Sequence, residues 1–145
     1  MSRFIPNPEL IAMLRRSVQE WNAWRREHPY VEIDLFGADL SEARLAGANL
    51  AGVEIEGANF NEADLTGANL SEGSFFASSF MCAKLTKAQL NGTDFHQAKL
   101  MFAELTDANI EEALISTTFF HGVTGLTPAR KKLVMAMLEI SLEKT

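Results

Sequence analysis

The side chains of this 145-residue chain best suited to chemistry are three histidines, one cysteine and a pair of adjacent glutamates. His28, His96, His121 and Cys82, brought together, could bind a metal, and Cys82 beside a histidine could act as a nucleophile. Glu111-Glu112 could do acid–base work in a cleft that moved one of their pKa values. Their spacing favours none of these. The histidines are scattered, and Cys82 has none near it in sequence. The glycines at 37, 47, 52, 57, 67 and 92 form no phosphate-binding loop. They recur in multiples of five, as residues of regularly placed tight corners would. The chain is therefore expected to have no enzymatic activity, no metal and no cofactor.

What must position these side chains is a repeat. Every fifth residue from Leu35 to Phe120 is Leu, Ile or Phe, 18 times without a slip. Two positions earlier the chain is small, usually Ala, and one position earlier it is usually polar, as in Asp39, Asn49, Asn59, Asp64 and Asn69. On an α-helix each residue advances about 100°, so a period of five spirals around every face. On a strand an odd period flips successive residues between faces. All the large residues are buried together only if the chain turns a corner at each repeat and keeps them inside. The simplest such path is a solenoid whose coils stack at strand spacing. The expected core is Leu40, Leu45, Leu50, Phe60, Leu65, Leu70, Phe75, Phe80, Leu85, Leu90, Phe95, Leu100 and Leu105, with the small residues as a second inward row.

Segments such as Ala38-Asp39-Leu40, Ala48-Asn49-Leu50, Ala58-Asn59-Phe60 and Ala63-Asp64-Leu65 resemble the pentapeptide-repeat family, A-[DN]-[LF]-x-x, over about residues 33–122. The resemblance implies an all-β repeat solenoid: a right-handed quadrilateral β-helix with four repeats per coil, about 4.5 coils in all. Gly73-Ser74-Phe75 and Ser78-Ser79-Phe80 depart from the pattern, and local widening is expected there because Phe is bulkier than Leu.

Residues 8–27 read as one helix, capped by Asn7, started by Pro8 and stopped by Pro29. Leu10, Leu14, Val18 and Trp21 make its stripe. It is expected to cap the first coil, with Trp21 or Trp24 over Leu35 and Leu40. Gly122-Val123-Thr124-Gly125 ends the repeats, and Thr127-Pro128 opens a second helix over 128–143. Leu133, Val134, Met137, Leu138 and Leu142 are its expected cap or dimer contacts. The division is thus 1–32, N-terminal helix and linker; 33–123, repeat β-helix; 124–145, C-terminal helix.

Residues 34–122 carry 13 acidic and four basic groups, a rod of −9, while the flanks are +3. Such a rod repels nucleic acid, so no direct nucleic-acid binding is expected. A single cysteine, no signal sequence at Met1–Pro8 and no long apolar run lead to an expectation of a cytoplasmic protein without membrane contact.

With four repeats per coil, residues 20 apart share a column. Ser41, Asn61, Met81, Met101 and His121 form one; Glu42, Glu62, Cys82, Phe102 and Gly122 form its neighbour. Phe36, Glu56, Phe76, His96 and Ser116 form a third. Phe76, Met81, Cys82, Met101 and Phe102 are the candidate partner contacts, unless the C-terminal helix folds back over Met101 and Phe102. The reading that follows is a non-catalytic protein–protein interaction module, with a homodimer through the C-terminal end a further option. The resemblance adds one alternative: some family members imitate duplex DNA and bind type II topoisomerases. Another is a regulatory module acting with a partner chain.

Overall fold

A computed structural model of the chain describes residues 7–143, with side-chain environments for residues 7–138. Between Asp34 and Thr124 each bridging residue pairs in parallel with the residue 20 further on, from Asp34 with Glu54 to Glu104 with Thr124. One coil therefore takes 20 residues and four repeats. Two reciprocal bonds make each rung. Leu40 N–H donates to Asn59 O at 2.7 Å, and Asn59 N–H donates back to Ala38 O at 2.9 Å. The bridges stay isolated, with no extended strand among the described residues. A corner every five residues leaves too little straight chain for one.

The corners are β-turns, nearly all closed by a bond such as Ala38 N–H to Leu35 O at 3.0 Å; at Ala58 the N–H donates to the Ser78 hydroxyl instead. Except at Thr117, the second central residue has positive φ, as type II turns require. Gly supplies this at Gly57 (φ 63°), but Glu62 (φ 60°), Cys82 (φ 59°) and Phe102 (φ 61°) adopt it too. The stacked rungs hold these non-glycine residues in place against an intrinsic cost of about 1 kcal/mol each.

The interior is dry and full. From Leu35 to Leu105 every large residue of the repeat is at most 1 % exposed. The expected core residues all lie in this set. Burial loosens at the far end, where Phe120 is only half-buried. Phe60, Phe75, Phe80 and Phe95 form one aromatic cluster, with Phe60 and Phe80 stacked at 4.7 Å. Space for Phe75 comes from Gly73, where a Cβ would stand 2.8 Å from the ring. The 20-residue register is unchanged there. Where Ser78 and Thr93 replace Ala inside, their hydroxyls donate to Ile55 O and Leu70 O at 2.7 and 2.8 Å, so no polar side-chain atom is buried unpaired among the described residues.

The expected single N-terminal helix is two helices, α1 (Pro8–Arg16) and α2 (Val18–Glu27). Ser17 breaks it. Its extended backbone ends α1 through a bond to Met13 O, and its hydroxyl accepts from Glu20 N–H to start α2. Ser17 and Glu20 have the spacing of a capping box. Both helices lie on the first coil, where the rungs have lost the coil that would precede them. Arg15 donates to Asp39 O and Ser41 O, the Trp21 indole N–H to Asn49 O at 2.8 Å, and Arg25 to Ala51 O at 2.7 Å. Asn22 accepts from Asn49 N–H at 2.8 Å. Side chains thus replace a missing coil atom by atom, which answers the open-edge problem. Trp21 is fully buried, and Trp24 stacks on it half-buried.

The third helix, α3 (Pro128–Glu143), is opened by Thr127, whose hydroxyl accepts from Arg130 N–H. The Arg130 guanidinium bonds Ala108 O. Val134 is buried and Met137 and Leu138 are half-buried against the core, whereas Leu133 is 39 % exposed. Leu142 lies outside the described side chains.

Candidate protein-contact face

The register fixes which outward side chains meet. One face of the rod runs between two corners, 76–77, 96–97 and 116–117 on one side, and 81–82, 101–102 and 121–122 on the other. Between them Ser79, Lys99 and Phe119 are stacked by successive bridges. Backbone bonds from Cys82 N–H to Met101 O and from Phe102 N–H to His121 O stack the second corner.

Phe102 is 53 % exposed and Phe119 is 55 % exposed. Phe76, Met81 and Met101 are half-buried and Cys82 is exposed. The structure thus brings Met81, Cys82, Met101 and Phe102 together on one corner and sets Phe76 on the other. Phe102 lies over Gly122, where a Cβ would come within 2.4 Å of the ring, and meets His121 edge-on at 5.5 Å. The corner must be glycine for the ring to rest there. α3 seats on the coil end through other residues and leaves Phe102 half in solvent. Phe119 extends the apolar surface, at the edge of the block that the columns define, and Leu114 (50 % exposed) is an exposed apolar residue on the adjoining face, over Asp94. Their signal was available: both occupy the position before the large residue, which is otherwise mostly polar.

The titratable groups are dispersed. No group of three or more His, Cys, Asp or Glu that could hold a metal exists among the described residues. His96 Nδ1 lies 2.7 Å from Asp94 Oδ1, a part-buried hydrogen-bonded pair. Glu111 and Glu112 are exposed. A shallow cleft of about 330 Å³ lies between the end of α2 and the first coil, lined by Arg25, Tyr30, Glu32, Ala51 and Glu54. Arg25, held below its ordinary pKa by burial, is already engaged by Ala51 O. Elsewhere Asp39 and Asp64 are held below the usual carboxylate range, chiefly by the hydroxyls of Ser41 and Thr66 that donate to them.

Coils of four five-residue turns, closed around a dry core and decorated outside, define a repeat solenoid. The family model for pentapeptide repeats matches eight copies over residues 33–71 and 78–116, more than half of the chain, and the protein belongs to that family. The interruption coincides with the Gly73–Phe75 departure. A pentapeptide repeat protein from the Arabidopsis thaliana thylakoid lumen is similar at 28 % identity and a TM-score of 0.57, over 68 % of this chain and 75 % of that one. One from Nostoc PCC 7120 is 26 % identical with a TM-score of 0.57, over 94 % and 97 %. One from Cyanothece 51142 is 29 % identical with a TM-score of 0.55, over 64 % and 60 %. No curated protein matches the chain. No helix among the described residues is long and apolar enough to cross a membrane.

Proposed function

We propose that this protein is a non-catalytic interaction module, a right-handed four-sided rod over residues 33–123, closed by helical caps over 1–32 and 124–145. Its partner is another protein, contacted through the face that carries Phe76, Met81, Cys82, Met101, Phe102 and Phe119. The observation that carries this reading is the exposure of both Phe102 and Phe119 on one face of the rod, where most outward positions of the repeats are polar. Exposed aromatic and methionine side chains mark contact surfaces. The rod's interior is filled by its own side chains, and the cleft beside the first coil gathers no cluster of catalytic groups among the described residues. Photo-crosslinking tests the reading. A benzoylphenylalanine in place of Phe102 should trap a defined partner that the same group in place of Asn69, on a different face, does not trap. Equal yields at the two positions would remove it.

The −9 charge of the repeats favours a second reading, imitation of duplex DNA toward a type II topoisomerase. Unchanged gyrase supercoiling in the presence of micromolar protein would eliminate it.

A further inference from the structure

The contact face differs from the rest of the rod in charge as well as in polarity. The repeats carry 13 carboxylates. None stands on this face from Phe76 upward: residues 76–82, 96–102 and 116–122 contain no Asp or Glu. The same face lower down carries Asp39, Glu42, Glu56 and Glu62. What replaces them is Lys99 and His121 among Phe76, Met81, Met101, Phe102 and Phe119, with His96 at the edge held by Asp94 of the adjoining face.

Lys99 is the group that gives the surface its sign. It is exposed, bridged to Ser79 below and Phe119 above, and it makes no ion pair among the described residues. Lys84, on the adjoining face, is different. It sits in register between Asp64 and Glu104, so its charge is balanced within its own column.

We propose that this face binds an acidic segment of a partner protein that carries aromatic or aliphatic anchors. The proposal rests on the contact-face reading above and adds the chemistry of the occupant. The anchors cover Phe102, Phe119 and Met101, and a carboxylate beside them meets Lys99. The remaining faces repel the same segment, which gives the face selectivity as well as attraction. A nucleic acid finds one fixed cation here on a rod of −9, too few to offset repulsion. A second copy centred on the apolar patch would set Lys99 toward Lys99 and one acid-free surface against another, a pairing with no charge complement.

Panning a random linear peptide library on phage against the full-length chain tests this. The best binder, synthesised with a fluorescein label, is then titrated by anisotropy. Enriched peptides should combine Asp or Glu with Phe, Trp, Leu or Ile, and their binding should weaken with added salt. Lys99→Glu should weaken it about tenfold or more, and the double change Phe102→Ser with Phe119→Ser should abolish it. Both phenylalanines are about half exposed, so circular dichroism and thermal unfolding should report an intact fold. Lys99→Glu touches no core contact and keeps the test independent of folding. Basic or uncharged binders, or binding indifferent to Lys99→Glu, would overturn the acidic occupant and leave the contact face standing. No enrichment, or binding that survives the double change, would overturn both. Self-association lost in the double variant, with no peptide bound, would identify a second copy and overturn the proposal.

Discussion

Asp64 and Asn69 occupy the same place in successive repeats and do the same work. Each Oδ1 accepts the N–H two residues on, Thr66 at 3.0 Å and Ser71 at 3.0 Å, and each also accepts the hydroxyl there. Where an acceptor stands at this position the turn uses it whatever its charge, so Asp and Asn interchange; Arg44, Lys84 and Lys99 hold the same place in the rungs without one. The difference appears with pH. The Thr66 hydroxyl, foremost, holds the Asp64 carboxyl below its ordinary range. A group with a depressed folded-state pKa contributes stability that is fully present above its unfolded value, near 3.9, and is lost as pH falls through the folded value. Stability should therefore drop between about pH 5 and the lower folded-state pKa of Asp64. Asp64→Asn should keep the turn and flatten that part of the dependence. Thermal unfolding of both proteins at neutral and acid pH gives the comparison. Identical losses in the two would show that the turn does not discriminate ionised from neutral acceptors.

At the scale of elements, the repeats were the most legible part of the chain and the caps the least. A period of five has one burial solution, so the repeat pattern by itself places Leu35 to Leu105 inside, where they lie. The break at Ser17 was harder to see, because Leu10, Leu14, Val18 and Trp21 continue a helical stripe across it. Only Ser17 and Glu20, three apart, marked the new start. The candidate contact face was half legible. Columns of 20 located Met81, Met101 and Phe102, while the exposure of Phe102 depends on where α3 rests, and spacing alone does not fix that. The N-terminal cap depends on its polar side chains reaching the coil edge. Trp21→Phe should keep most of the burial and lose the bond to Asn49 O, at a cost of about 1 kcal/mol. Trp21→Ala should cost about 3–5 kcal/mol through the cavity it leaves. Urea unfolding of the two variants separates hydrogen bond from packing. No loss in Trp21→Phe would mean that the indole N–H contributes nothing of its own, and equal losses in the two variants would mean that the ring's packing adds nothing beyond the bond.

The whole molecule is asymmetric end to end. At the first coil, Arg15, Trp21, Asn22 and Arg25 pair the edge. At the last, Leu90, Gly92 and Phe95 still donate to carbonyls 19 residues ahead, but Ile110, Glu112 and Ile115 have no such partner among the described residues. α3 covers that end with Val134, Met137 and Leu138, and Arg130 reaches one carbonyl there, Ala108 O. In a stack where each coil holds only its neighbours, stability adds from coil to coil, and opening begins where the terminal interface is weakest. Hydrogen exchange followed by mass spectrometry should therefore show a gradient. Amides of residues 60–100 should exchange slowest, and the first coil should stay protected under its cap. Residues 110–124 should open first, with the Ile110 and Ile115 amides far less protected than those of Leu90 and Phe95, their equivalents one coil earlier. A single common rate for all coils would mean that the rod opens as one unit, and that α3 closes its end as firmly as α1 and α2 close the other.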